Sequence, residues 1–195
     1  MNLKKLFFAA VIVLSANASF AQDSKVASHL VTISIPEVAL LDLEAPSTAI
    51  TLAGTLPLNA EAGLPMTFGA AATNATIWMN YSSIVKKDKL RNVSVAITAG
   101  AVPTGLKLTV LASAATTADG AGTKGTALTT AHTLTGTATS LVSGIGSTYT
   151  GDGVNKGRNL TYKLDYATDA ATDYASLNFD TVLPITITYT LSDNL

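Results

Sequence analysis

The chain has 195 residues, no cysteine and only 13% charged residues, with 12 Lys and Arg against 13 Asp and Glu. These figures exclude disulfides, thiol catalysis and thiolate metal sites, and they leave no cationic footprint of the kind nucleic acid requires. Thr, Ser, Asn and Ala occupy the polar positions instead, a surface suited to extracellular assembly proteins and poor in catalytic groups.

The opening "MNLKKLFFAAVIVLSANASFAQ" joins cationic Lys4 and Lys5 to an apolar run from Leu6 to Leu14 and to small residues at Ser19 and Ala21. Those three regions predict a secretory signal peptide over residues 1–21, cut after Ala21. The apolar run is shorter than the roughly 18 residues that a membrane-spanning helix needs, and no later stretch is long and apolar enough to cross. The expected mature chain, residues 22–195, is one domain that passes through the periplasm to the cell surface or the medium. Without Lys4 and Lys5 it carries 10 basic against 13 acidic residues.

Along that chain, period-two segments recur: 29–35 (HLVTISI), 76–82, 93–98, 106–112, 160–166 and the closing stretch 185–191. Weaker candidates lie near 38–44, 48–52, 64–68 and 134–143. Glycine and proline punctuate the intervals, at Pro36, Gly100, Pro103, "ADGAGTKG" and "TGDGVNKG". Short alternating strands without a long amphipathic helix predict an all-β fold, an antiparallel immunoglobulin-like β-sandwich, with a jelly roll as second choice. A helix has room only at 166–177 or near Ala70, and both stretches are too short to gain much from propensity. The Thr/Ala/Gly-rich tract from Ala112 to Thr139 reads as an irregular hairpin or surface loop.

Several stretches mimic catalytic or binding motifs. "GAGTKG" (120–125) fits G-x-G-x-x-G but lacks the preceding buried strand and following helix that would bring backbone amides to a phosphate. "SIVK" (83–86) and "SDN" (192–194) echo two elements of serine β-lactamases, without the third, K-T-G. His29 and His132 are the only imidazoles, and no nucleophile elbow accompanies them. Asp165, Asp169 and Asp173 recur every four residues, a spacing that would gather on a helix around a calcium ion. The EF-hand pattern is missing, so they read as solubilising charges. No catalytic residue, cofactor or metal site is expected, and the chain is read as a non-enzyme.

Two binding surfaces compete. Trp78, the sole tryptophan, with the run "KKDKLRN" carrying Lys86, Lys87, Lys89 and Arg91, would form an extracellular glycan contact. The plain alternatives are a core tryptophan and a hairpin loop whose lysines guard a strand edge. The second surface is the pair of chain ends. In "SHLVTISIPEVALLDL", Val31, Ile33 and Ile35 share one face; in "VLPITITYTLSDNL", Ile185, Ile187, Tyr189 and Leu191 do the same.

A strand at each end resembles the arrangement in Gram-negative pilus subunits of the chaperone-usher type, although this chain lacks the cysteine pair of many such pilins. The resemblance implies that Val31, Ile33 and Ile35 insert into the next subunit while Ile185, Ile187, Tyr189 and Leu191 line the acceptor side. Self-association or union with other surface subunits follows, by strand addition to an open edge. The last strand, "ITITYTLSD", is also similar to the closing strand of WxL-type cell-wall-binding domains, with Tyr189-Thr190-Leu191 in place of the Trp-x-Leu. The reading of the whole is a secreted structural or adhesive surface protein, a candidate fibre subunit, with a glycan-binding module as the alternative.

Overall fold

The computed structural model describes residues 25–26, 28–46, 49–178 and 184–193. The expected signal peptide and Asn194 lie outside them. The chain divides after Ile35 into two units, the second beginning at Pro36.

In the first unit, residues 28–35 form no helix, turn or strand. Leu30, Val31, Ile33 and Ile35 stand 92%, 65%, 83% and 74% exposed. The strand expected over 29–35 therefore needs correction. Alternation favours an extended backbone, but a strand exists only where a neighbouring edge takes its N–H and C=O groups, and none does so here among the described residues.

Every strand pair of the second unit is antiparallel among the described residues. Its nine strands are β1 (Val38–Glu44), β2 (Thr73–Ile84), β3 (Arg91–Ala99), β4 (Leu106–Ala112), β5 (Ala121–Ala127), β6 (His132–Thr133), β7 (Thr139–Tyr149), β8 (Arg158–Tyr166) and β9 (Thr186–Asp193). They hydrogen-bond in the order β6-β4-β8-β2-β7-β3-β9, with β1 on the outer side of β2 and β5 on the outer side of β7. The strong period-two segments of the middle and the C-terminus became β2, β3, β4, β8 and β9, and the weak one at 38–44 became β1. The stretch 64–68 supplies only a bridge between Thr67 and Thr55.

One face of each central strand is apolar. Ile77, Met79 and Tyr81 of β2, Val93 and Val95 of β3, Leu108 and Val110 of β4, Leu141, Val142 and Ile145 of β7, and Leu160 and Tyr162 of β8 are buried in one cluster. Strands far apart in the order thereby face each other: Tyr162 of β8 and Tyr189 of β9 share a hydroxyl–hydroxyl hydrogen bond of 2.6 Å. Among the described residues the one α-helix, α1 (Ala170–Asp173), is one turn long, capped by Asp169, whose carboxylate accepts from the Thr172 N–H.

Close backbone approach is paid for with glycine at the β7–β8 connection. Gly157 sits at φ +67°, and a Cβ there would collide with the Met79 carbonyl oxygen and the Asn80 side chain. Gly153, in the same loop at φ +98°, has nothing within 4 Å of such a Cβ. Gly153→Ala should therefore cost only the left-handed strain, about 1–2 kcal/mol. Gly157→Ala adds a backbone clash and should cost about 2–5 kcal/mol. Urea unfolding of both variants checks the contrast; equal losses would contradict the contact with β2.

Candidate functional site: an open seam between two strand edges

The pairing pattern leaves β1 and β9 with one partner each. β1 is bonded to β2 from Val38↔Ile84 to Glu44↔Trp78, and β9 to β3 from Arg91↔Asp193 to Ala99↔Thr186. Their other edges have no ladder partner among the described residues. Each strand nevertheless turns apolar side chains inward: Leu41 and Leu43 from β1, and Ile187, Tyr189 and Leu191 from β9, all half-buried against the core. Thr186, Thr188 and Thr190 face outward, so the expected alternation of the last strand holds. Ile185 is half-buried as well, one residue before β9 begins.

Arg91 fastens one end of this seam. It is the first residue of β3, on the same face as Val93 and Val95, and it is 2% exposed. Its Nε donates to Asp193 Oδ1 at 2.8 Å, at the end of β9. Its Nη1 donates to the Val38 carbonyl, to Ser83 Oγ at 3.2 Å and to the Ile84 carbonyl, while Nη2 pairs with the Glu37 carboxylate. One guanidinium thus holds the start of β1 and the end of β9. Its carboxylate partners are mostly exposed, at 62% and 64%, so solvent screens the two ion pairs. Loss of both carboxylates would leave the buried cation uncompensated.

The floor of the seam is the Tyr162–Tyr189 pair. Burial pushes both phenols above the ordinary tyrosine range, Tyr189 the further, with the neighbouring Tyr162 adding to its shift. A raised folded value stabilises the fold in full below the unfolded value of about 10, and the benefit is lost as pH climbs from there toward the folded value.

The glycan residues do not come together. Trp78 is half-buried on the face of β2 opposite Met79, in register with Glu44 and Asn159, and so belongs neither to the core nor to an open platform. Lys86, Lys87 and Lys89 are exposed in the β2–β3 turn, where the Lys89 N–H donates to the Lys86 carbonyl. Roughly 20 Å of strand separates Trp78 from Ile84, at which the turn begins. Arg91, expected as the fourth cation of that loop, is instead buried in the clamp.

The motif fragments dissolve into the sheet. Five of the six residues of "GAGTKG" (120–125) lie in β5, paired with β7. Ser83 lies in β2 under Arg91, Ser192 and Asp193 lie in β9, and His132 pairs with Val110. His29 is exposed in the 28–35 segment. Asp165 is held below its ordinary range first by a hydrogen bond from Lys163, and Asp169 is lowered first by the backbone N–H of Thr172. Asp173 accepts from the Thr168 and Asp169 N–H groups. Each carboxylate of the series thus serves its own local partner.

Sequence reasoning named the β9 row but missed Leu41, Leu43 and both inward-facing arginines. The signal was present: Arg91 shares the parity of Val93 and Val95, and Arg158 that of Leu160 and Tyr162. No protein-family model, curated protein or solved structure matches the chain.

Replacing Tyr189 by Phe removes one ionisable phenol and one net hydrogen bond worth about 1 kcal/mol. The stability gap between wild type and Tyr189→Phe should be largest near pH 8 and should narrow by pH 11, because only the wild type gains an ionised Tyr189 on unfolding. Urea titrations at the two pH values measure it, and a gap that widens would contradict the buried pair.

Proposed function

We propose that the chain is a secreted structural subunit of an extracellular fibre, and that the second unit is an immunoglobulin-like β-sandwich completed by a strand from another copy. The observation that carries this reading is a complementarity within one sequence. Residues 28–35 are exposed and have no ladder partner among the described residues, with Val31, Ile33 and Ile35 alternating along the segment. The β1 and β9 edges are unpaired and present half-buried apolar rows.

A strand laid between the two edges would take main-chain hydrogen bonds from both, and its alternate side chains would fill the seam. Full burial of Val31, Ile33 and Ile35 would contribute about 1.5–3 kcal/mol each, offset in part by the entropy of ordering the segment. The contact is head-to-tail, so repeated addition builds an open chain of subunits rather than a closed ring. The role is structural and adhesive, not catalytic.

Deleting residues 28–35 should leave the second unit folded and abolish oligomers in light scattering and fibres in negative-stain electron microscopy. Ile33→Asp, which places a charge in the middle of the apolar row, should do the same by point mutation. Adding a synthetic 28–35 peptide to the deletion protein should raise its unfolding temperature in a concentration-dependent way. A deletion protein that assembles like the full chain would overturn the proposal.

A further inference from the structure

The second guanidinium, Arg158, has a different neighbourhood from Arg91. It starts β8, faces inward and is 1% exposed. Its Nε donates to Tyr81 Oη at 3.0 Å, Nη1 to the Ser113 carbonyl at 2.9 Å, and Nη2 to the Lys124 and Gly125 carbonyls at 2.8 and 2.7 Å. Those four acceptors are neutral. A guanidinium has five N–H donors, so one Nη1 hydrogen is left without an acceptor among the described residues. The ion pairs of the described residues involve Arg91, Lys156 and Lys163, and none places a carboxylate within 4.0 Å of Arg158. Buried charges are ordinarily paired, because desolvation costs several kcal/mol per ion.

Arg158 lines a cavity of about 460 Å³ between the end of β4 and the outer edge of β5. Leu111, Ala115, Ala127 and Leu128 form apolar walls, and Ala114 and Thr126 stand exposed among the lining residues. The volume lies in the range of small-molecule sites, which pair apolar walls with a few fixed polar groups. One cationic charge and one free donor match a singly charged carboxylate better than a phosphate, which needs several donors. Walls of alanine, glycine and leucine without an aromatic ring favour a slender aliphatic body.

We infer that this cavity binds a monocarboxylate carried on a slender aliphatic body, with Arg158 supplying the counter-charge. The ligand's carboxylate can belong to a free aliphatic acid or to the C-terminus of a peptide. The inference does not rest on the fibre reading, since the β4–β5 edge is separate from the β1–β9 seam.

The test is calorimetry on the full chain with hexanoate and with 1-hexanol, alongside acetyl-Ala-Leu with a free C-terminus and its C-terminal amide. At least one carboxylate should bind, with its uncharged counterpart about tenfold weaker or more. Hexanoate alone would assign a free acid as the source, and the free-carboxylate peptide alone or more tightly would assign a protein C-terminus. Because Arg158→Met removes four structural hydrogen bonds, the blocking variant is Ala114→Trp, which lies outside the strands. It should keep the wild-type unfolding temperature and lose binding at least about tenfold. Absence of carboxylate binding, equal affinity for hexanoate and hexanol, or undiminished binding by Ala114→Trp would each overturn the assignment.

Discussion

A strand edge exposes a row of N–H and C=O groups that must find partners, and this requirement governs the whole chain. Without cysteine, the sheet cannot be cross-linked covalently where its pairing pattern runs out. At both places it uses a buried arginine. Arg91 takes the Val38 and Ile84 carbonyls beside β1 and the carboxylate at the end of β9. Arg158 takes the Ser113 carbonyl beyond β4 and the Lys124 and Gly125 carbonyls of β5. The planar fork of the guanidinium suits this work, since several donors in fixed geometry reach two backbones at once. The two differ in charge balance: Arg91 meets two carboxylates, whereas Arg158 meets only dipoles.

The same requirement singles out the β1–β9 seam. Ordinary edge strands are short, charged or bulged, which discourages a second chain from pairing. β9 is eight residues long and its outward row is uncharged from Thr186 to Thr190. Its inward row is anchored by Tyr189, whose hydroxyl reaches across to Tyr162, so the edge is held in place without a ladder partner among the described residues. A fixed, uncovered edge with an apolar row is a template for strand addition.

How far the sequence disclosed this arrangement depended on whether a residue's fate was local. Period-two alternation in 93–98, 106–112 and 160–166 led directly to β3, β4 and β8, because both faces of those strands are set by their own side chains. The 29–35 segment has equally clean alternation and is not a strand, since pairing is a property of the neighbour. The β5 strand escaped notice for the opposite reason. Gly122 and Gly125 take φ of +88° and +70°, and a Cβ on either would strike the carbonyls of β7. A strand that approaches its partner so closely is written in glycine and reads as a loop. Arg91 looked like one more cation in a lysine-rich turn, although the inward parity it shares with Val93 marks its burial.

Mechanical load follows from the clamp at Glu37 and Val38. Tension arriving at Glu37 enters the second unit where Arg91 already grips the Glu37 carboxylate and the Val38 carbonyl. From there it divides between two ladders, β1 against β2 and, through Arg91 itself, β3 against β9. Drawn along its own axis, β1 loads its seven register pairs together in shear, instead of unzipping them one after another. The arginine that closes the seam is therefore also the point at which a pull on the chain is shared between the two edges.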